Sequence, residues 1–220
     1  FFRREIIVTK KSDGTSVTEA DLLVESKLRQ MISERFPDHN IYGEEQHLLD
    51  RKSDWTWVID PIDGTKSFIT GQPTFGCLIG LLNLDKPVLG IIEMPALKER
   101  WMGSVGKTTT FNGIGCKTSS VYSLAESTLT ATSPDMFNTQ EWAVFSKLSS
   151  AVKFRFFGND CYSYALLSLG FIDLVMEADL GLYDFLPLVP IIIGAGGSIT
   201  DWQGKELTFK SGSQVLASAN

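Results

Sequence analysis

The chain is 220 residues long and 43% apolar, with 20 Lys and Arg against 26 Asp and Glu for a net charge of -6; that length suits one compact domain or two closely joined halves around a sizeable core. The acidic balance and the lack of a Lys/Arg cluster exclude a nucleic-acid binder working through a basic face. The longest apolar runs, around Cys77 to Leu82 and Leu186 to Ala195, fall far short of the roughly 20 residues that span a bilayer, so no membrane partner is expected.

Taken in order, Glu5 to Thr9 reads as a short strand or the end of a helix, followed by a polar loop, Lys10-Lys11-Ser12-Asp13-Gly14-Thr15. A helix begins at Thr18, a good N-cap with Glu19 and Asp21 in the first turn, and Val24, Leu28, Met31 and Ile32 share one face at helical spacing. Phe36-Pro37-Asp38 closes it. Ile41-Tyr42 starts a strand that ends at Gly43-Glu44-Glu45, and Gln46 to Asp54 is a loop. Val58 and Ile59 end a buried strand; Pro61 stiffens its exit and Gly64 turns the chain into a helix near Thr65. Phe75 to Leu82 and Val88 to Met94 predict two antiparallel strands, Arg100 to Val105 a third, and Asn112-Gly113 a turn.

Ser127 to Thr132 starts a second half as a strand. Glu141 to Leu148 is an amphipathic helix, Phe154 to Phe157 a strand, Cys161 to Leu169 a helix stopped by Gly170, and Ile172 to Met176 a buried strand. In Leu186 to Ile193 the β-branched residues favour strand, while the length and the terminal Gly194-Ala195-Gly196-Gly197 favour a buried helix kinked near Pro190, the reading adopted. Ile199-Thr200 and Val215-Leu216 are short closing strands around a Gln203-Gly204 turn. The alternation predicts a layered α/β fold, one domain over 1–220 with halves 1–125 and 126–220. Three widely spaced cysteines, Cys77, Cys116 and Cys161, read as reduced core thiols in a cytosol-like compartment, so the protein is expected to be cytoplasmic. The opening Phe1-Phe2-Arg3-Arg4, with no initiator Met, also allows a removed targeting segment.

The chemistry is concentrated from Trp57 to Phe68. Asp60 and Asp63 are expected at the carboxyl end of the strand, and the free amides of Gly64 and Thr65 at a helix N-terminus, a ready anion site. Two carboxylates beside an anion cradle require a cation between them, since alone they repel a phosphate. Read singly, the residues have plainer roles: a solvated strand-end turn for Asp60 and Asp63, an N-cap for Thr65, a helix-dipole partner for Asp21.

Asp60-Pro61-Ile62-Asp63-Gly64-Thr65, the preceding Gly43-Glu44-Glu45, Thr18-Glu19-Ala20-Asp21, and Tyr183-Asp184 followed by Gly196-Gly197 occur in the order and spacing of the inositol monophosphatase superfamily, which the chain resembles over nearly its whole length. The resemblance implies an alternating αβαβα sandwich, a metal- and phosphate-binding first half and a substrate-side second half. It also implies lithium-sensitive, Mg²⁺-dependent hydrolysis of a small phosphorylated substrate by a homodimer. One Mg²⁺ would be held by Glu44, Asp60 and the carbonyl of Ile62, and a second by Asp60, Asp63 and Asp184. A third, weaker ion would lie near Glu44. Oxygen-only ligands suit this hard ion. Thr65 and Asp21 would hold and help deprotonate the attacking water, and the amides of Gly64 and Thr65 would bind phosphate beside Asp63.

The second half resembles the histidinol-phosphate phosphatases of this family through Asp160-Cys161-Tyr162-Ser163-Tyr164-Ala165, Asp173 to Glu177, Tyr183-Asp184 and Asp201-Trp202; Lys66-Ser67-Phe68-Ile69 points the same way. Carboxylates at Asp160 and Glu177, with Asp184, would select a substrate carrying an amine and an imidazole. Inositol or sugar phosphates are the alternative, since carboxylates also accept bonds from hydroxyls, and a noncatalytic metal- and phosphate-binding module is the reading of a different class. Helices that usually open and close family members have no counterpart in this sequence. His39 and His47 are given no role.

Overall fold

A computed structural model describes residues 1–10 and 16–220. Strand β1 (Val8–Lys10) pairs antiparallel with β2 (Ser16–Thr18), so Lys10 belongs to a strand and the rest of the expected polar loop, residues 11–15, lies outside the described residues. Thr18 then caps helix α1 (Glu19–Arg35): its side chain accepts from the amide of Ala20, while Asp21 Oδ2 accepts from the Thr18 amide at 2.8 Å and from its hydroxyl. This reciprocal arrangement satisfies donors that every helix start leaves open. The inner face of α1 is more polar than its spacing predicts. Ile32 is buried and Val24 and Leu28 half-buried, but Met31 is 54% exposed, and Asp21 and Glu25 are fully buried.

Seven strands build the first sheet: β3 (Asn40–Gly43), β4 (Trp55–Asp63), then, after helix α2 (Thr65–Ile69), β5 (Gly76–Asn83), β6 (Lys86–Met94), β7 (Glu99–Ser104), β8 (Thr110–Phe111) and β9 (Ile114–Gly115), neighbours in that order. β3 runs parallel to β4 and the remaining pairs are antiparallel. β4 does not end at Ile59 as expected; it continues to Asp63 through a register irregularity between Asp60 and Asp63. Pro61 sits in that irregularity, where its missing N–H costs the ladder nothing.

The second half contributes β10 (Thr128–Ala131), α3 (Thr139–Ser149), β11 (Phe154–Phe157), α4 (Tyr162–Ser168), β12 (Leu174–Glu177), α5 (Leu182–Phe185), α6 (Val189–Gly194), β13 (Ser198–Thr200) and β14 (Val215–Ser218), with sheet order β11-β10-β12-β14-β13. Ile32 of α1 packs on Ile41 and Ile59 at one outer face, Phe145 of α3 on Leu129, Ala131 and Met176 at the other, and α4 to α6 fill the space between the sheets around Tyr164, Leu167, Phe185 and Ile191. The result is a five-layer αβαβα sandwich.

The helix predicted over Leu186 to Ile193 is a 3₁₀ turn at Leu186–Leu188 followed by α6, and α5 runs directly into it. The break falls at Pro187 rather than Pro190, because Pro190 lies in the first turn of α6, where the orphan N–H has no partner to lose. What holds this segment is a row of glycines, with Gly80 opposite Gly90 and Gly90 opposite Gly103 across β5, β6 and β7. A Cβ on Gly90 would stand 1.8 Å from Pro187 O and one on Gly103 2.5 Å from Pro190 O. The sheet therefore offers a backbone-deep groove, and the segment lying in it carries α5 against β4 and β5. Gly90→Ala is expected to destabilise by about 3 kcal/mol or more, the top of the usual overpacking range, because backbone must move; that corresponds to a Tm roughly 6–12 °C lower. Gly212→Ala, with nothing within 4 Å of its Cβ, should shift Tm by no more than about 2 °C. A Gly90→Ala melt superimposing on wild type would show that the groove is not needed.

Candidate active site

The parallel pairing of β3 and β4 sets Gly43 opposite Ile59, and the Glu44 amide donates to Ile59 O at 3.1 Å. Parallel strands end side by side, so Glu44 leaves the sheet next to Asp60, and its charge acts on both Asp60 and Asp184. Asp60 is 2% exposed. Gly64, with φ 79°, then reverses the chain directly from Asp63 into α2, a left-handed conformation costly for any residue with a Cβ. Asp184 arrives from the far side on the first turn of α5, where its Oδ2 accepts from the Gly181 amide at 2.7 Å. One carboxylate oxygen each from Asp60, Asp63 and Asp184 lie within 4.8 Å of one another.

Such crowding has an electrostatic signature. Burial, followed by the charges of Glu44, Asp63 and Asp184, holds the Asp60 carboxyl well above the usual range. Burial and then Asp160 and Asp184 do the same to Asp63. Asp184 is pushed up to about 7, by burial first, although bonds from Asp60 and the Gly181 amide oppose the shift. Asp60 Oδ1 is buried without a hydrogen-bond partner. An orphaned carboxylate oxygen amid two further carboxylates, with no nitrogen or sulfur donor in the cluster, fits a hard divalent cation.

The other expected residues lie around this cluster with definite partners. Ile62 O accepts from the Thr65 hydroxyl at 3.1 Å. Asp21 uses Oδ2 for the helix cap, and its Oδ1 is buried and unpartnered. Asp160, in the left-handed region at φ 46° after Asn159 at φ 80°, accepts from Ser67 Oγ at 2.9 Å and lies so close over Gly64 that a Cβ there would meet its Oδ2 at 2.7 Å. Glu177 is 2% exposed, accepting from the Thr132 amide at 2.8 Å and the Tyr164 hydroxyl at 2.9 Å. Asp63, Asp160, Glu177 and Asp184 line one cavity of about 100 Å³ with Thr132 and Tyr164.

Several participants escaped the sequence reading. The Cys161 amide donates to Asp63 Oδ2 at 2.6 Å and ties the two halves together; nothing in a Cys codes for a backbone bond. Tyr183, part of the Tyr183-Asp184 motif but with no contact expected of it there, stacks on Tyr42 at 6.2 Å beside the acids, and burial with the charges of Asp184, Glu44 and Asp60 keeps its hydroxyl protonated far above the ordinary tyrosine range. Glu25 is the third, and its helical spacing from Asp21 was the available signal.

A sequence profile of the inositol monophosphatase family matches residues 2–220. The chain is 46% identical over 221 residues to "Bifunctional phosphatase IMPL2, chloroplastic" of Arabidopsis thaliana, covering all of this chain but only 64% of that protein's length. It is 34% identical over 222 residues to a histidinol-phosphatase of Chlorobaculum parvum, covering 100% of this chain and 85% of the relative. Among solved structures it superimposes on an inositol monophosphatase from Zymomonas mobilis with a TM-score of 0.90 at 40% identity, covering 100% of this chain and 85% of the other.

Mg²⁺ should therefore stabilise the protein. At a concentration about a hundredfold above Kd, a cation bound only by the folded state adds about 2.7 kcal/mol, or a Tm increase of roughly 5–10 °C; Asp60→Asn should abolish that increase while melting no lower than wild type in EDTA, because it removes one of the crowded charges. In EDTA the sign of the pH effect is also set. Asp184 binds its proton more tightly folded than unfolded, so its contribution to stability is complete below the unfolded value near 3.8 and is lost as pH rises through about 7. Thermal melts across that window should fall, and Asp184→Asn should flatten the fall.

Proposed function

The chain belongs to the inositol monophosphatase family, and from that premise we propose that it hydrolyses a small phosphate monoester with Mg²⁺, with L-histidinol phosphate as the leading substrate, releasing histidinol and phosphate in histidine biosynthesis. The observation that carries the reading is the meeting of Asp60, Asp63 and Asp184, 124 positions apart in sequence at the extremes, within 4.8 Å. In this reading Glu44, Asp60 and the Ile62 carbonyl hold one cation, and Asp60, Asp63 and Asp184 another; a third sits more weakly near Glu44. Bound there, Mg²⁺ supplies charge neutralisation for the phosphoryl oxygens and lowers the pKa of an attacking water.

The protein's own groups do the rest. Gly64 and Thr65 present backbone amides to the phosphate oxygens beside Asp63, the turn at Gly64 adding no side chain of its own. Thr65 and Asp21 orient the water and take up its proton; the unpartnered Oδ1 of Asp21 supports that role, since Oδ2 is already committed to the Thr18 cap. Asp160, Glu177 and Asp184 surround the cavity with negative charge, which favours a cationic alcohol over a neutral polyol. The named activity of the Chlorobaculum relative supports the same substrate, while the Zymomonas structure supports the second reading, an inositol monophosphatase. The free thiols of Cys77, Cys116 and Cys161 agree with a reducing, cytosol-like compartment, and the family resemblance supports a homodimer.

Phosphate release from histidinol phosphate and inositol 1-phosphate, measured side by side with Mg²⁺, tests the assignment: the first should be the faster, and a clear preference for inositol 1-phosphate overturns it in favour of the second reading. Asp60→Asn and Thr65→Ala should each lower kcat by roughly 10²–10⁴ with far-UV CD unchanged. No phosphate release from any member of a substrate panel would leave the noncatalytic binding module.

A further inference from the structure

Glu25 stands one turn along α1 from Asp21 and is 0% exposed. A buried carboxylate is expensive unless it is fully bonded, and this one is. Its Oε1 accepts from Arg29 Nε at 2.7 Å and the Gln46 amide at 3.1 Å, and its Oε2 accepts from the Glu45 amide at 2.7 Å. Arg29 closes the arrangement by donating through Nη2 to Gln46 O at 2.9 Å. Both successive amides after Glu44 are thus bound to one carboxylate, a short nest of N–H groups around an internal anion. The residue before Glu44 is fitted to the same carboxylate. A Cβ on Gly43 would lie 2.2 Å from Glu25 Oε1, and the three atoms nearest to it all belong to that carboxylate. Glycine here answers to the space Glu25 needs, since its φ is not in the left-handed region.

We infer that Glu25, neutralised by Arg29, is a positioning residue for the cation site: it fixes the backbone on both sides of Glu44 and so sets how tightly the site holds its metal. The sheet supplies the third fixed point through the Glu44 amide on Ile59 O. Arg29 matters for sign as well as geometry. An unneutralised Glu25 would add another negative charge to the neighbourhood of an acidic cluster, whereas a charge-assisted pair holds the turn without it. The inference rests on the metal-dependent reading above.

Calorimetric titration with Mg²⁺ alone, alongside steady-state kinetics across Mg²⁺ concentrations, separates the two. Glu25→Gln keeps the shape but loses the Arg29 pairing and one acceptor oxygen. It should weaken Mg²⁺ binding about tenfold and shift the activation midpoint equally, with a smaller loss of kcat at saturating Mg²⁺. Gly43→Ala, which displaces the carboxylate without deleting it, should weaken binding similarly and gives the same test if Glu25→Gln does not fold. In Gly43→Ala/Glu25→Ala the overlap is gone, so the added methyl should cost less than it does in the wild-type background. If Glu25→Gln and Gly43→Ala bind Mg²⁺ as wild type does and only melt earlier, Glu25 is a packing element and the inference fails. If wild type itself neither binds Mg²⁺ nor releases phosphate, the proposed function fails instead.

Discussion

Carboxylates that repel one another govern this structure. Two unit charges about 4.8 Å apart cost roughly 3–4 kcal/mol at an effective dielectric of 20, and three such groups meet at Asp60, Asp63 and Asp184. Left to themselves they would move apart, so each must be held by something rigid. Asp60 is locked into a nine-residue strand flanked by β3 and β5. Asp63 is held by the Cys161 amide and Asp184 by the Gly181 amide. These donors are backbone groups without net charge, so they fix the acids in place without neutralising them. The electrostatic demand for a cation is thereby preserved.

That demand explains the close packing elsewhere. Asp184 can stay beside Asp60 only if α5 cannot drift, and α5 is continuous with the segment lying in the glycine groove of β5, β6 and β7. Backbone against backbone leaves no flexible side chain to give way, so the groove resists displacement more steeply than an ordinary apolar contact. The Glu25 nest does for Glu44 what the groove does for Asp184.

Most of the layered elements were legible in the sequence because each rests on a local signal: a turn residue at Gly64, a cap at Thr18, alternation along the strands; of the acids, Asp60 and Asp63 stood out before the Gly64 turn, whereas Glu44 and Asp184 were reached only through the order and spacing of the family's motifs. Features that failed to show are those in which a residue answers to a distant one. Glu25 looks like a solvated helix charge until the amides of Glu45 and Gln46 are placed against it. Gly80, Gly90 and Gly103 each weaken a strand locally; only their alignment across three strands makes a groove. The continuation of β4 to Asp63 was hidden because proline normally ends a strand pattern, and a register irregularity removes that objection.

The acids on the substrate side invite a different argument from the cation ligands. Glu177 has both oxygens engaged, by the Thr132 amide and the Tyr164 hydroxyl, and Asp160 is bonded to Ser67. Geometry alone would make them fixtures of the wall. Yet burial raises the pKa of both, the mark of carboxylates set in a poorly solvated wall. A cationic group lowers those pKa values and is stabilised in return, whereas a neutral hydroxyl gains only a hydrogen bond. Under the proposed reading, selection for a positively charged alcohol portion would therefore not need a free lone pair on either residue; two buried carboxylates around the cavity they share with Asp63 and Asp184 would be enough.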